Sequence, residues 1–343
     1  MALHPVYGHE GVRDRLGVAA AAGRLPQALL FEGPPGVGKQ RLALWLAQTL
    51  ICESPRESPR PCGRCLACTR VLSLGHPDVL WLVPLEITRK GADADKQVEL
   101  VEEALGEEMA LRREQPLYRP PPGAASHGIA AVRLLARRLP LRPALARRKV
   151  VVIGGAERLV PQRANPEAAN ALLKTLEEPP PDTTIVLTTS DANALLPTIV
   201  SRLVRVRISR VPDSVVTEFA HRELGKQSSQ LVAAAEGSIG RLLALEGGAP
   251  GASVERFLRA AGGGEVDRYA TALGQPPYQA RGGFTALLDG LLEHLRDRAR
   301  GGHDLERVVA AIGRVLEARA AAQGNVNPQL LTAVLANELW GAP

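Results

Sequence analysis

Ala28-Leu29-Leu30-Phe31-Glu32-Gly33-Pro34-Pro35-Gly36-Val37-Gly38-Lys39-Gln40 is the stretch on which the reading of this chain turns. Its first four residues are a short apolar run, expected as a buried strand. Gly33-x4-Gly38-Lys39 follows, and then Leu42, Trp45, Leu46 and Leu50 recur at helical spacing. Strand, glycine-rich loop and helix in that order describe a phosphate-binding loop. Glycines let backbone N–H groups turn inward around a phosphate, and the helix N-terminus adds its positive dipole. A plain glycine-rich turn is the less demanding reading. Gly33, Gly36, Gly38 and Lys39 are the candidate nucleotide contacts.

The groups that should accompany such a loop are missing. A Ser or Thr hydroxyl normally follows the lysine and binds Mg²⁺, whereas this chain has Gln40. A carboxylate pair should end a second buried strand, one member for the metal and one for the attacking water. The matching strand, Val150-Val151-Val152-Ile153, runs into Gly154-Gly155 instead, and Glu157 stands too far on to replace them. Glu157 is expected as a solvated or capping residue. The expectation is a loop that hydrolyses no nucleotide, with binding itself left open.

Working outward, Val79–Val83, Thr184–Thr188 and Val204–Ile208 read as further strands. A helix is expected from the N-cap Asn165 and Pro166 to Glu178, where Pro179 stops it. Strands alternating with helices to about residue 208 argue a parallel α/β sheet. Beyond it the pattern is helical: a small helical domain over 209–248, then a Leu/Ala-rich bundle over 249–343. Glycine breaks near 262–264, 282–283 and 301–302 are expected to separate its helices. The 343 residues, 45% apolar and only 3% aromatic, call for aliphatic cores. The formal charge of +6 permits a nucleic-acid partner without demanding one. No apolar run approaches membrane-spanning length. The N-terminal residues lack a charged-then-apolar leader pattern, so a cytosolic protein with reduced thiols is expected.

Reduced thiols make the cysteines informative. Cys52, Cys62, Cys65 and Cys68 follow the spacing C-x9-C-x2-C-x2-C. Each x2 interval lets two thiolates reach one ion within a tight turn, and Gly63 eases the first. Four thiolates complete a closed tetrahedral Zn²⁺ site, leaving no position for catalysis. An iron–sulfur cluster is the alternative. His76 lies nearby and is expected to be only a loop residue before Pro77.

Residues 86–125 differ in composition. From Glu86 to Glu114 there are nine acidic and five basic side chains, and Arg119-Pro120-Pro121-Pro122-Gly123 follows. An exposed insertion is expected, helical around 95–114 and loop-like after it. From Arg119 to Ala156 no acidic residue occurs, against eight Arg or Lys. Arg133, Arg137 and Arg138 fall on one side of an expected helix; they are either a merely solvated face or the candidate DNA-facing residues.

Asn170-Ala171-Leu172-Leu173-Lys174-Thr175-Leu176-Glu177-Glu178-Pro179-Pro180 and Leu195-Leu196-Pro197-Thr198-Ile199-Val200-Ser201-Arg202 point further. Periodicity alone makes the first a buried amphipathic helix. Together with the glycine loop and the cysteines, however, these segments resemble the bacterial clamp-loader AAA+ subunits of DNA polymerase III. The second is similar to that family's Ser-Arg-Cys segment, with Leu203 in place of Cys. The likeness covers residues 1–85 and 126–245. It implies an AAA+ P-loop domain over 1–208, with a zinc module at 52–68 and an insertion at 86–125. It also implies a helical lid over 209–248 and an all-α collar over 249–343.

What the resemblance implies about function follows from the departures. The hydrolysing tau/gamma branch keeps Thr after the loop lysine and Asp-Glu after the second strand. Gln40, Gly154 and Gly155 match the non-hydrolysing delta-prime branch. On that pattern Arg202 is an arginine finger reaching a neighbour's ATP, Thr189 stands at a sensor position, and Gly240-Arg241 at a second. Expected partners are tau/gamma and delta, and through them the sliding clamp and primed DNA. An active tau/gamma-type ATPase and a stand-alone zinc-containing DNA-binding module are the alternative readings.

Overall fold

The computed structural model describes residues 3–54, 60–85, 93–115, 117, 126–159, 167–225, 228–246, 249–275, 283–300, 305–323 and 326–339. The expected helix start at Asn165-Pro166 and the proline run after Arg119 lie outside these residues. The chain divides into two compact units. The first comprises Met1–Tyr118 with Ala125–Leu243, and the second Arg119–Ala124 with Ala244–Pro343.

Among the described residues the first unit carries five strands: β1 (Ala28–Glu32), β2 (Val79–Leu82), β3 (Lys149–Ile153), β4 (Thr183–Thr189) and β5 (Val204–Arg207). They pair in the order β2-β3-β4-β1-β5, every pair parallel. Helices α1 (Glu10–Ala21), α2 (Lys39–Ile51), α3 (Leu66–Leu72), α4 (Ala94–Glu114), α5 (Ile129–Arg138), α6 (Glu167–Glu177) and α7 (Pro197–Val200) connect and cover the strands. Successive strand residues point to opposite faces. Leu30, Val151, Ile153, Ile185 and Leu187 therefore join a core with α4, α5 and α6. Leu29, Phe31, Val150, Val152 and Val186 join another with α1, α2 and α3. Both faces are covered, which is why the central strands read as unbroken apolar runs.

Two expectations are corrected here. Val79–Leu82 is an edge strand, half-buried at three of its four positions rather than fully buried. The acidic insertion is not merely exposed. Val98, Val101 and Leu105 of α4 are at most 6% exposed and belong to the core beneath α5. Their i, i+3, i+7 spacing is the helical signal that the charge count obscured.

Helices α8 (Asp213–Leu224), α9 (Ser229–Ala235) and α10 (Ile239–Glu246) follow β5. Val216, Phe219, Val232, Ala235 and Leu242 form a small core of their own, with Tyr7. Among its described residues the second unit carries helices and no strand: α11 (Ala249–Ala261), α12 (Glu265–Leu273), α13 (Gly283–Arg300), α14 (Leu305–Gln323) and α15 (Pro328–Glu338). Phe257, Phe284, Leu288, Leu291, Val308, Val315 and Leu335 fill its aliphatic-aromatic core. The 262–264 break separates α11 from α12 as expected. Gly282, Gly301 and Gly302 lie outside the described residues. Among the described residues no helix is long and apolar enough to cross a membrane.

Candidate functional site

The sheet order brings the functional loops together. Glu32 at the end of β1 pairs with Thr189 of β4, and Leu187 of β4 pairs with Ile153 of β3. The glycine loop, Ser190 and Gly154 therefore gather at one carboxyl edge, where ligands bind in open α/β sheets. Gly33 must be glycine, since a Cβ there would lie 2.0 Å from the Ile208 carbonyl oxygen. At Gly36 (φ 75°) a Cβ would come within 2.9 Å of the Gly240 Cα.

Gly33, Gly36 and Gly38 all have positive φ, and the lysine that follows them is engaged within the loop. Lys39 Nζ donates to the carbonyls of Gly33 (2.7 Å) and Pro34 (2.6 Å) and to Ser190 Oγ (3.0 Å). Burial lowers its pKa to about 8, against an opposing pull from Glu157. Glu157 itself is half-buried in the 3-10 turn Ala156–Leu159 rather than solvated. The α9–α10 elbow closes over the loop: Ser238 Oγ donates to the Pro35 carbonyl (3.0 Å), and Gly240 N–H to that of Gly36 (2.9 Å). Arg241, read as a second sensor, pairs with Glu236 at 3.0 Å. Thr189, read as the first, spends its hydroxyl on the backbone of Asp191. The hydroxyl that meets the lysine belongs to the next residue, Ser190. A strand end is not legible in sequence to one residue, so that register had to come from the structure.

Gln40 explains the missing carboxylate. A Cβ on Gly154 would fall 2.4 Å from Gln40 Oε1, so the amide occupies the space such a side chain would need. Trp81 Nε1–H donates to the same oxygen at 3.1 Å. Arg112 of α4 stacks over the Trp81 ring at 4.6 Å. The Gly154 carbonyl accepts from Nε2 of His127, a buried histidine that sequence reasoning missed (2.8 Å). Burial pushes the His127 pKa down to about 4, so it is neutral at pH 7. Gly154→Asp must expel Gln40 and strip Trp81 of its acceptor. It should lower stability by about 1–2 kcal/mol and restore no ATPase, while Gln40→Ala relieves part of the loss. Urea titration of the two single variants and the double checks this coupling.

The four cysteines converge. Their Sγ atoms all lie within 4.8 Å of one another, with Cys52–Cys65 at 4.0 Å and Cys62–Cys68 at 3.9 Å. Backbone N–H groups of Cys62, Cys65 and Cys68 point at the sulfurs of Cys52 (3.5 Å), Cys62 (3.3 Å) and Cys65 (3.5 Å). Hydrogen bonds from the Ser54 side chain and from the N–H groups of Arg64 and Cys65 bring the Cys62 thiol down to about 5. Burial raises that of Cys68. Thiolates about 2.3 Å from a tetrahedral Zn²⁺ are separated by about 3.8 Å, so the donor set fits such an ion.

His76 is more than a loop residue. It is 5% exposed, and its Nδ1 accepts the Asp78 N–H at 3.1 Å. Asp78, also buried, accepts the N–H groups of Ala144 (2.6 Å), Leu145 (2.8 Å) and Ala146 (2.7 Å). Lys149, counted above among the basic residues, donates to the Arg138 carbonyl at 2.7 Å and to those of Leu139 and Leu141. The loop before β3 is thus held from both ends. Arg133, Arg137 and Arg138 are exposed on α5. Arg137 pairs with Asp95 and Arg138 with Glu102, both carboxylates from α4. Among the described residues Arg133 has no carboxylate partner.

Arg202 follows α7, with its side chain 34% exposed. Its guanidinium donates to the Thr198 carbonyl (2.7 Å) and to Glu177 (2.6 Å).

Against known families, a sequence profile described as DNA polymerase III, delta subunit, matches residues 8–212, more than half of the 343. This chain belongs to that family. The DNA polymerase III subunit delta' of Escherichia coli K12 is 29% identical over 244 residues, covering 71% of this chain and 58% of that protein. The delta' subunit of Pseudomonas aeruginosa is 32% identical over 223 residues, covering 65% and 53%. The gamma/tau subunit of Mycobacterium tuberculosis H37Rv is 31% identical over 198 residues, covering 57% and 27%. The chain thus spans about half the length of the delta' relatives it matches. The matched DNA polymerase III residues 8–212 include the glycine loop, the cysteines, α6 and Arg202.

Proposed function

We propose that this chain is the delta-prime subunit of a bacterial clamp loader. It joins tau/gamma and delta in the cytosol and helps place the sliding clamp on primed DNA. It hydrolyses no ATP itself and lends Arg202 to a neighbour's site. The observation that carries this reading is Gln40 seated against Gly154, in a loop whose glycine backbone is otherwise preserved. Similarity to delta' proteins supports it. On this reading residues 1–208 are the AAA+ domain, 209–248 the lid and 249–343 the collar. Cys52, Cys62, Cys65 and Cys68 hold one structural Zn²⁺.

The direct test is reconstitution. The chain should co-purify with tau/gamma and delta and show no ATPase alone. Turnover by the isolated chain that Lys39→Ala abolishes would favour the tau/gamma-type alternative. Tight DNA binding without partners would favour the stand-alone zinc module.

Arg202→Ala should leave assembly and zinc intact while lowering DNA-stimulated ATPase of the reassembled loader. Arginine fingers reach about 10³–10⁵ in small GTPases, and the effect here is smaller because one of several sites borrows the residue. Arg202→Lys should rescue only in part, since an ammonium lacks the planar fork. Wild-type rates in the alanine assembly would reduce Arg202 to an ordinary surface residue.

The α5 face is the proposed DNA-facing surface, with Arg133 its most available charge. Each phosphate contact removed lowers the salt slope of DNA binding by about 0.9 in log units. Arg133→Ala should show that change in the assembled loader. Arg137→Ala and Arg138→Ala should show less, because α4 carboxylates already neutralise both. An unchanged slope in all three variants would make α5 a merely solvated face.

A further inference from the structure

The two contacts on Arg202 come from different elements. Nη1 donates to the carbonyl of Thr198, one turn earlier in α7, at 2.7 Å. Nη2 donates at 2.6 Å to Oε1 of Glu177, the last residue of α6. A guanidinium carries five N–H donors in one rigid plane. Two contacts through its two Nη atoms fix that plane and leave three donors, on Nε and on each Nη. The side chain is still 34% exposed. Glu178, the next residue, is exposed and has no ion pair with Arg202. The helix end therefore offers two carboxylates, and only one reaches the arginine.

We infer that Glu177 is the positioning residue for Arg202. It holds the guanidinium plane at the subunit surface, so that a triphosphate carried by a neighbouring subunit meets donors already oriented. This rests on the reading of Arg202 as acting in trans. An oriented fork loses less side-chain freedom when the phosphate arrives. The gain belongs to turnover rather than to ATP affinity, because ATP is held by the neighbour's own loop.

The test uses loaders reassembled from the full chain with tau/gamma and delta, reading kcat and KM for DNA-stimulated ATP hydrolysis. Glu177→Ala should slow the one site that borrows Arg202 about three- to five-fold, the change that about 1 kcal/mol makes, so the loader's kcat falls by less than it does in Arg202→Ala, with KM unchanged. Glu177→Gln, which keeps an acceptor oxygen, should fall between it and the wild type. Glu178→Ala removes the same charge from the same helix end and should leave both constants unaltered. Glu177→Ala combined with Arg202→Ala should be no slower than Arg202→Ala alone. Wild-type or higher kcat in Glu177→Ala, with Arg202→Ala impaired, would overturn the positioning role and leave the finger standing. An equal loss in Glu178→Ala, or additive losses in the double variant, would also overturn it. Wild-type rates in Arg202→Ala would remove the finger reading itself.

Discussion

Metal analysis of the purified chain should find one Zn²⁺ per molecule, and Cys65→Ser should bind it weakly or not at all. The sulfur separations of 3.9 and 4.0 Å match a tetrahedral thiolate site. The effect should extend beyond the ion. Structural Zn²⁺ contributes on the order of 10 kcal/mol to folding of the segment that holds it. This segment bears on the main core: Ala67 and Val71 of α3 pack with Leu46 and Leu50 of α2. Gln48 of α2 also donates to the Cys68 carbonyl at 3.4 Å. Chelation should therefore expose residues 60–72 to protease and loosen α2, which carries Lys39. Iron in place of zinc, or full zinc retention by Cys65→Ser, would refute the assignment.

Asp78→Ala should be among the most damaging substitutions outside the metal site, at about 3–5 kcal/mol. One carboxylate there accepts three backbone N–H groups. A hydrogen bond to a charged group is worth about 1.5–3 kcal/mol, offset in part here because Ala144 and Leu145 are exposed and their N–H groups can turn to water. Asp78→Asn keeps one acceptor oxygen and should lose less. Urea midpoints of the two variants give the comparison. The pH dependence follows from the same contacts. Burial raises the Asp78 pKa, but the N–H groups of Ala146, Ala144 and Leu145, with His76, outweigh it and hold it below its ordinary value. A carboxyl depressed on folding stabilises fully above its unfolded pKa of about 3.9 and loses that contribution as pH falls through the folded value. The wild type should accordingly lose stability below about pH 4 by more than Asp78→Asn does. Equal acid sensitivity, with an alanine cost near zero, would show that the loop before β3 stands without Asp78.

What was legible in sequence shares one property: it is local. The strand and glycine loop, the helix behind Lys39, the C-x2-C-x2-C knuckle and the amphipathic α6 each depend on residues within about two turns of one another. Backbone geometry converts such spacing directly into position. The absence of Ser or Thr at Gln40 and of carboxylates at Gly154 and Gly155 could likewise be read from the chain alone. That reading predicted a loop without its catalytic groups. It undervalued α4, whose charges drew attention from the buried Val98, Val101 and Leu105.

Tertiary structure decided everything that joins distant segments. Trp81 reaches Gln40 across 41 positions, Asp78 reaches Ala144 across 66, Ser190 reaches Lys39 across 151, and Arg202 reaches Glu177 across 25. No periodicity encodes such pairs. The strand order β2-β3-β4-β1-β5 sets which loop ends meet, and the register sets which residue of each loop faces inward. Thr189 closes β4 and gives its hydroxyl to Asp191, while Ser190, just past the strand end, meets the lysine. The same holds for α5: its basic side was evident from spacing, but only packing against α4 brought Asp95 and Glu102 to Arg137 and Arg138. The sequence thus determined the elements and the chemistry absent from them. The fold decided which side chains took the vacated places, because that depends on distances between elements the chain does not connect locally.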